Sequence, residues 1–260
     1  MKNYRRISII TPSFNQGNFI EETILSVLSQ EYPDLEYLVM DGGSSDATLD
    51  VLKKYSGRIT WFSEPDQGQT DAINKGLRRA TGSVVGYLNA DDLLLPGALN
   101  KVAQTFTADP QAWWVTGKCQ IVDEENNEIR TPITVYKNTL LRWHSFLLLL
   151  MTNYISQPAT FWRRESLDAI GYLDESLRYV MDYEYWLRLY SKRPPVFIPE
   201  YLAAFKIHRN SKTTSTGHKD IYVAEEKIVV QRYVRSRPQL LLHNAHRLLM
   251  TFAYSFMNRG

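Results

Sequence analysis

Short apolar runs alternate with amphipathic stretches along the amino-terminal third of the chain. The apolar runs have the length and composition of buried strands and occupy residues 7–11, 36–40, 59–62 and 83–88. Between them, apolar residues recur at helical spacing over residues 19–30, 47–54 and 70–80. Strands that alternate with helices in this way predict an α/β fold with a Rossmann-like, largely parallel central sheet.

Carboxylates follow two of these strands at the point where each strand ends. Asp41 comes directly after the second strand, and Asp91 and Asp92 come shortly after the fourth. Ligands of open α/β sheets bind at this edge, where an aspartate accepts hydrogen bonds from a nucleotide or holds a divalent metal with substrate phosphates. The alternatives are an ordinary turn at Asp41 and, for the Asp91–Asp92 pair, an acidic turn before a helix that Pro96 begins.

The second half of the chain has a less regular pattern. Residues 113–122 and 128–135 predict a hairpin, because a short charged segment separates two runs of strand-forming residues. The apolar and aromatic segment 143–153 predicts a core helix or one wall of an acceptor site. Helical spacing at 221–234 and 240–257 predicts two further helices.

The composition is typical of one large globular domain, or of one domain with an appendage. The chain has 260 residues, of which 44% are hydrophobic, so it can bury a sizeable core.

Cys119 is the single cysteine, which favours a reducing compartment, and the basic amino terminus lacks the apolar core of a secretory signal. The longest apolar stretch, 146–151, is far shorter than the roughly 20 residues that span a bilayer. We therefore expect a cytoplasmic protein without a transmembrane helix.

Positive charge is concentrated at the end of the chain. Residues 227–260 contain six Lys or Arg and no Asp or Glu, whereas the whole chain has a net charge of only +2. A mildly acidic body with a basic tail does not favour nucleic-acid binding. The tail can pack on the body, contact a partner or lie on an anionic membrane surface, and packing on the body is favoured.

The chain lacks the two common nucleotide-binding motifs and contains four others. The chain contains neither G-x-G-x-x-G after its first strand nor G-x-x-x-x-G-K-[ST], which argues against a dinucleotide oxidoreductase and a P-loop kinase. It does contain, in order, Ile-Ile-Thr-Pro-Ser-Phe-Asn at 9–15, Val-Met-Asp-Gly-Gly-Ser-Ser-Asp-Ala-Thr at 39–48, Asp-Gln-Gly-Gln-Thr-Asp-Ala-Ile-Asn-Lys-Gly at 66–76 and Leu-Asn-Ala-Asp-Asp at 88–92. In order and spacing these motifs resemble the family 2 glycosyltransferases, and the resemblance continues to about residue 215. It implies the GT-A fold, in which a nucleotide-binding α/β half is merged with an acceptor-binding half.

The resemblance implies a site for a nucleotide-sugar donor. In such a site Phe14 stacks on the base, and Asp41 accepts a hydrogen bond from the base or ribose. The segment 66–71 flanks the sugar-nucleotide. The donor-binding residues implied in this way are Pro12, Ser13, Phe14, Asp41, Asp66, Asp71, Asn89 and Asp91.

The resemblance also implies a divalent metal, Mn²⁺ or Mg²⁺, on the donor diphosphate. Residues 89–92 stand where the family has its D-x-D motif, but the first aspartate is replaced by Asn89, which keeps an acceptor oxygen and loses a negative charge. The metal ligands implied are Asp91 and His208, with Asp92 as an alternative. Nearby cations that could neutralise the leaving diphosphate are Lys206, Arg209 and Lys212.

Asp182 is the expected catalytic base. The segment around it resembles the family region in which an acidic pair opens a helix, although Met181 stands where the second acidic residue is common. A carboxylate is suited to this role because the acceptor hydroxyl loses its proton only as its bond to the sugar forms. Without the resemblance, the local pattern favours Asp182 as the N-cap of a helix over residues 183–189.

Taken together, these features predict a metal-dependent, inverting glycosyltransferase that moves one sugar from a nucleotide-diphosphate donor, with UDP favoured, to a hydroxyl acceptor. The acceptor is expected to be a surface polysaccharide or a lipid-linked precursor. A single addition is favoured because the segment 231–235 does not match the Q-x-x-R-W spacing of polymer-making relatives. Residues 1–215 are expected to form the catalytic domain and residues 216–260 a basic amphipathic helical extension. Peripheral contact with the inner face of the membrane through residues 227–260 is the alternative to packing of this extension on the body.

Two alternatives remain open from the sequence, as does the oligomeric state. A nucleotidyltransferase that builds the activated sugar would share the α/β sheet and the metal carboxylates. Such an enzyme normally has a basic, glycine-rich loop directly after its first strand, and residues 11–18 contain no Lys or Arg. A non-catalytic nucleotide- or sugar-binding module is the other alternative, and Asn89 is the residue that favours it.

Overall fold

The structure is a computed structural model that describes residues 5–209, 211 and 219–257. The expected domain boundary between residues 215 and 216 lies outside this part of the chain, as does the candidate cation Lys212. Within the described residues, eight strands form one sheet.

The first half of the chain folds as alternating strands and helices, as the hydrophobic pattern predicts. Its elements are β1 (Ile7–Ser13), α1 (Ile20–Leu28), β2 (Leu35–Asp41), α2 (Thr48–Lys54), β3 (Thr60–Ser63), α3 (Gln69–Arg79) and β4 (Val84–Tyr87). β1 runs parallel to both β2 and β4, and β2 runs parallel to β3. The loops that follow these strands therefore lie along one edge of the sheet.

The second half adds strands to the same sheet and places most of the remaining helices around it. Its elements are β5 (Leu93–Leu94), α4 (Ala98–Ala108), β6 (Trp114–Val122), α5 (Thr131–Arg142), α6 (Phe146–Met151), β7 (Thr160–Arg163), α7 (Ser166–Ile170), α8 (Met181–Lys192), β8 (Val196–Lys206), α9 (Lys219–Tyr233) and α10 (Arg237–Met257). The strand order is β3-β2-β1-β4-β7-β6-β8-β5. β7 is antiparallel to β4 and to β6, so the sheet is parallel in its first half and mixed in its second.

Two apolar clusters cover the two faces of the sheet. Neighbouring residues of β1 point to opposite faces, so that Ile9 belongs to one cluster and Ile10 to the other. The first cluster includes the buried faces of α1, α2 and α4, whereas the second includes those of α3, α6, α8 and α9. Trp114 and Trp186 stack in the second cluster with ring centroids 5.8 Å apart. Burial on both faces explains why β1 and β4 are apolar over almost their whole length.

The predicted hairpin at 113–135 is wrong in its second strand. Val122 and Glu128 form a single antiparallel bridge, and the chain then enters α5 at Thr131. Pro132 accounts for the change, because proline has no amide hydrogen for a strand ladder but fits the first turn of a helix. The prediction of a core helix within 143–153 is confirmed, since α6 buries Leu149 and Leu150.

The carboxyl-terminal helices pack on the body. Val229 and Val230 of α9 are fully buried in the same apolar cluster as residues of α8. On α10, His243 is buried, and its Nδ1 lies 2.9 Å from the carbonyl oxygen of Leu150 in α6. Among the helices that the structure describes, none has the length and apolar character needed to cross a membrane.

Candidate active site

The ends of β1 and β2 form the first wall of the candidate site. Ser13 and Asp41 are paired at the ends of these two parallel strands. Pro12 and Ser13 are buried, whereas Phe14 has 59% of its surface exposed just beyond the strand. The Phe14 ring is therefore the part of this segment that can stack on a nucleotide base.

Asp41 organises the loop that follows it. Its side chain is almost fully buried and accepts four hydrogen bonds: from the amides of Gly43 (3.1 Å) and Ser44 (2.9 Å) and from the hydroxyls of Ser44 (2.5 Å) and Ser63 (2.7 Å). Three of these bonds go to Oδ2 and one to Oδ1, so Oδ1 keeps an acceptor site. Oδ1 is therefore the Asp41 oxygen at which a base or ribose group could donate a further hydrogen bond.

The segment between β3 and α3 lies against this first wall. A Cβ atom built on Gly42 would come within 2.5 Å of Asp66 Oδ2, so the Asp66 carboxylate rests directly on the Gly42 backbone. Asp66 Oδ1 accepts a hydrogen bond from Gly68 N at 2.7 Å. The segment is thus held in place by backbone contacts, and Asp66 lies beside the Asp41 loop.

Asp71 stabilises the start of α3. Its Oδ2 accepts a hydrogen bond from Gln67 N at 3.0 Å and lies 3.2 Å from Lys75 Nζ. Burial alone would raise the pKa of Asp71, but the Gln67 hydrogen bond and the Lys75 charge hold that pKa below its ordinary value. In this structure Asp71 therefore fixes the loop of residues 66–71.

Asn89 connects the Asp66–Asp71 segment to Asp92. Its Oδ1 accepts a hydrogen bond from Gln69 Nε2 at 2.7 Å, and its Nδ2 donates to Asp92 Oδ2 at 3.1 Å. Asp92 is 0% exposed, and its other oxygen accepts from the backbone amide of Lys206 at 3.0 Å. Both Asp92 oxygens are thus bonded to protein donors, so the geometry favours Asp91 over Asp92 as a metal ligand.

Asp91 and His208 meet although 117 residues separate them in the sequence. Asp91 Oδ2 lies 2.9 Å from His208 Nε2, and the His208 ring stacks on Phe19 with centroids 4.1 Å apart. The Asp91 side chain is 21% exposed, so this pair faces accessible space at the carboxyl end of β4. The fold therefore brings these two sequence-predicted ligands together.

The Asp91–His208 pair fits a divalent ion that also binds phosphate. One carboxylate oxygen and one imidazole nitrogen are suitable ligands for Mn²⁺ or Mg²⁺. Among the described residues no cluster of three or more His, Cys, Asp or Glu side chains could hold a metal. The remaining ligands would therefore have to come from substrate phosphate and water, which is a usual arrangement for these ions.

Lys206 has a structural partner and is not placed to neutralise a diphosphate. Its side chain is 1% exposed, and its Nζ donates to Glu22 Oε2 at 2.5 Å. Arg209, in contrast, is exposed just after His208. Of the two described candidate cations, Arg209 is thus the more exposed one.

Asp182 is the second residue of α8. Its Oδ1 accepts from Tyr183 N at 2.7 Å, and its Oδ2 accepts weakly from Asn153 Nδ2 at 3.4 Å. Burial raises the pKa of Asp182, and the charge of Lys137 opposes that effect. Burial and then the charge of Asp182 also raise the pKa of Tyr87, the last residue of β4, so Asp182 lies near the strand end that leads to Asp91.

Several residues of the site were not predicted from the sequence. Gln69 lies inside a quoted motif, which is a signal that could have identified it. Asn153, which contacts Asp182, lies in the segment 143–153 that was predicted as a core helix or one wall of an acceptor site. Lys137 on α5, whose charge acts on Asp182, lies in a segment without a predicted site role. Gln157 donates to Tyr87 O at 2.5 Å from the 3₁₀ turn before β7.

Solved structures define the class of protein to which this fold belongs. The mannosyltransferase PcManGT from Pyrobaculum calidifontis, in complex with GDP-Man and Mn²⁺, superposes with a TM-score of 0.70 at 20% identity over 95% of this chain and 70% of its own. Residues 1–349 of S. aureus TarS, in complex with UDP-GlcNAc, give a TM-score of 0.67 at 19% identity over 86% of this chain and 65% of that chain. The expected GT-A fold is therefore confirmed.

The family follows from the sequence comparison. A sequence model of glycosyl transferase family 2 matches residues 8–170, which is more than half of the chain. The chain therefore belongs to glycosyl transferase family 2 and is a glycosyltransferase enzyme. A relative from Campylobacter jejuni, the GalNAc(5)-diNAcBac-PP-undecaprenol beta-1,3-glucosyltransferase, is 29% identical over 223 residues, which cover 84% of this chain and 70% of the relative.

Proposed function

We propose that this enzyme transfers a single sugar from a nucleotide-diphosphate sugar to a hydroxyl of a glycan acceptor, with inversion at the anomeric carbon. The observation that carries the proposal is the 2.9 Å contact between Asp91 Oδ2 and His208 Nε2 beyond the end of β4. Asp91 and His208 form a pair suited to a divalent ion, and Asp182 adds a carboxylate at the start of α8. These are the groups that such a transfer needs: a site for the diphosphate and a proton acceptor.

The proposed reaction assigns one role to each group. Asp182 accepts the proton of the acceptor hydroxyl as that oxygen bonds to the anomeric carbon. The bond from this carbon to the diphosphate breaks at the same time, and attack from the opposite face inverts the carbon. A divalent ion held by Asp91 and His208 would neutralise negative charge on the departing diphosphate. Arg209, the exposed residue that follows His208, is proposed to add positive charge there.

The donor is proposed to bind along the edge formed by β1, β2 and the 66–71 segment. Phe14 is proposed to stack on the base and Asp41 to bond to the base or ribose. Residues 66–71 and Asn89 then face the sugar and diphosphate. The exposed Phe14 ring and the Asp66 contact with Gly42 support this path, because both lie beyond the ends of the parallel strands. UDP is the favoured nucleotide, and the TarS complex with UDP-GlcNAc supports that choice.

The acceptor is proposed to be a surface polysaccharide or a lipid-linked glycan. The name of the Campylobacter jejuni relative, which specifies an undecaprenol diphosphate glycan, supports a lipid-linked acceptor. We further propose a cytoplasmic enzyme in which residues 1–215 form the catalytic unit. Residues 216–260 are proposed to form an extension that contacts the inner face of the membrane.

The test is a comparison of nucleotide binding and turnover in purified protein. Hydrolysis of UDP-glucose, UDP-GlcNAc, GDP-mannose and dTDP-glucose is measured with Mn²⁺ and with EDTA, and UDP affinity is measured by calorimetry. In Asp91→Ala, Mn²⁺ should no longer tighten UDP binding. In Asp182→Asn, UDP affinity should persist while turnover falls by a factor on the order of 10² to 10⁴, as expected for loss of a positioned base.

Asp168→Asn is a suitable control, because Asp168 is an exposed carboxylate on α7 that borders the same cavity as Ser83, at the opposite end of β4. This variant should keep both UDP affinity and turnover. Equal UDP affinity with Mn²⁺ and with EDTA would refute the metal site. Normal turnover in a folded Asp182→Asn variant would remove Asp182 from the reaction. The anomeric configuration of the transferred sugar, measured by NMR, tests inversion.

A further inference from the structure

Glu225, in the carboxyl-terminal helix α9, binds the backbone that leads into α8. Its Oε1 accepts a hydrogen bond from Arg178 N at 2.9 Å. Its Oε2 accepts from Tyr179 N at 2.8 Å and from Val180 N at 3.3 Å. Glu225 is 8% exposed, so these bonds form away from solvent. One buried carboxylate thus holds three consecutive amides directly before the helix that carries Asp182.

α8 begins without an acceptor side chain at its N-cap position. The residue at its N-cap is Val180, whose side chain has no acceptor, and no side-chain hydrogen bond caps the helix from within its own segment. A negative charge at a helix amino terminus is favourable because it faces the positive end of the helix dipole. Glu225 places a buried negative charge beside this end of the helix from 45 residues away in the sequence.

The loop before α8 is also held by α3, whose first turn belongs to the segment 66–71. Thr70 Oγ1 donates to Leu177 O at 2.9 Å. Asn74 exchanges two hydrogen bonds with the backbone of Leu173, at 2.9 and 3.1 Å. The loop at 171–180 is therefore clamped between α3 and Glu225 of α9.

Asp182 depends on this backbone for its position. Its own side chain has one short hydrogen bond, from the adjacent Tyr183 amide, and one long bond from Asn153. Both the direction of the carboxylate and the Tyr183 amide are fixed by the first turn of α8. A shift of that turn would move the carboxylate relative to the acceptor, and a displacement of about 1 Å can reduce a rate by about 10²-fold.

We infer that Glu225 is a positioning residue for the proposed base, so that the carboxyl-terminal extension is part of the catalytic apparatus. This inference rests on the proposed role of Asp182. It assigns to Glu225 an effect on the chemical step and none on donor binding, because Glu225 contacts only the backbone before α8 in the bonds described above.

The test compares Glu225→Ala and Glu225→Gln in the full-length chain. Four donors are first compared with the wild type: UDP-glucose, UDP-GlcNAc, GDP-mannose and dTDP-glucose. Hydrolysis of the donor with the fastest turnover is then measured for each variant, and UDP affinity is measured by calorimetry. For Glu225→Ala we expect kcat to fall by about 10- to 100-fold, with KM for the donor and UDP affinity unchanged. Glu225→Gln keeps one acceptor oxygen and the side-chain volume, so it should recover part of kcat.

Arg232→Gln is the matched control. Arg232 Nη1 binds Asp174 Oδ2 at 2.8 Å across the same contact between α9 and the body, so its loss weakens that contact without freeing the amides before α8. We expect normal kcat in this variant. Unchanged kcat in both Glu225 variants, a joint loss of kcat and UDP affinity, or an equal kcat loss in Arg232→Gln would each overturn the inference.

Asp182→Asn separates this inference from the proposed function on which it rests. If Asp182→Asn is inactive and Glu225→Ala is fully active, only the positioning role of Glu225 fails. If Asp182→Asn is itself active, the proposed function fails first. Should Glu225→Ala not fold, Glu225→Gln alone decides, because normal kcat in that variant contradicts a role that depends on the carboxylate charge.

Discussion

Asp91 and Asp92 are adjacent in the sequence but have different chemical environments. Asp91 is partly exposed and contacts His208, whereas Asp92 is buried and bonded to Lys206 N and Asn89 Nδ2. Burial, and then the charge of Asp91, raise the pKa of Asp92 well above its ordinary value. An aspartate at position 89 would place a second carboxylate against Asp92 in place of an amide donor. Asn89 therefore stabilises the buried Asp92 side chain by donating a hydrogen bond that an aspartate at position 89 could not donate when ionised.

Lys137 is expected to lower the pH at which Asp182 becomes ionised. Burial raises the pKa of Asp182, and the hydrogen bond from the Tyr183 amide and then the charge of Lys137 oppose that effect. Because the base acts when deprotonated, turnover should rise with pH as Asp182 loses its proton. Lys137→Met removes the opposing charge, so the pKa of Asp182 should rise. The acidic limb of the pH–rate profile should then move to higher pH.

Lys118→Met provides the control for this prediction. Lys118 lies in β6 with its Nζ 5.6 Å from the centroid of the Tyr201 ring, and it does not affect the pKa of Asp182. Both variants lose one positive charge, so any change in overall charge affects them equally. An acidic limb at the same pH in wild type and Lys137→Met would contradict the proposed effect of Lys137.

At the scale of elements, α3 links the core to the candidate site. Its first turn carries Asp71 and Gln69, and Gly76 in its middle lies directly on β1. A Cβ atom on Gly76 would overlap Ile10 Cγ2 and come within 3.2 Å of Met40 Cγ. The motif that ends at Gly76 therefore has a packing role beside its proposed binding role, because the glycine lets the helix approach the sheet closely.

Gly76→Ala should destabilise the protein by about 1–2 kcal/mol. Alanine favours a helix by up to about 1 kcal/mol over glycine, but overpacking costs about 1–3 kcal/mol when neighbours cannot move. Ile10 is a β-branched, fully buried strand residue, so it has little freedom to yield. Urea unfolding measures the change, with Gly57→Ala as the control because a Cβ at Gly57 meets no atom within 4 Å. Equal or greater stability of Gly76→Ala would contradict this packing argument.

At the scale of the whole molecule, α10 presents an apolar face to solvent. His243 packs on α6, whereas leucines elsewhere on α10 are exposed, including Leu241 (68%), Leu248 (69%) and Leu249 (64%). Arginines accompany them on the same basic tail. Exposed leucines beside positive charge are typical of a helix that lies on an anionic bilayer. This surface is the structural basis of the proposed membrane contact.

Vesicle sedimentation tests the proposed membrane contact. The full chain should sediment with anionic vesicles and not with neutral ones, and high salt should release it, because each nearby Lys or Arg contributes about 1 kcal/mol that salt screens. A double variant, Leu248→Ser with Leu249→Ser, should sediment less while keeping UDP affinity, since these side chains point away from the body. Sedimentation that is indifferent to lipid charge, or equal for both chains, would leave α10 as a packing or assembly element.

Much of the first half of the fold could be predicted from the sequence. Buried strands and amphipathic helices have different hydrophobic periods, so their order from β1 to β4 follows from local pattern alone. The second half was less predictable because α5 begins with Thr131 and Pro132 after strand-like residues, and the pattern there does not distinguish a strand from a helix. The position of Asp91, next to the end of β4, was predictable because parallel strands place their following loops at one edge.

The sequence by itself determined the α/β class, the motifs at the strand ends and the candidate residues Asp91, His208 and Asp182. Only the tertiary structure decided which of these residues meet and what holds them. The amide of Lys206 reaches Asp92 across 114 residues, and Glu225 reaches the backbone before α8 across 45 or more. Such contacts depend on how the helices and the sheet pack, and local sequence periodicity contains no information about partners so distant. Packing therefore decided that the carboxyl-terminal extension supports the helix of the proposed base.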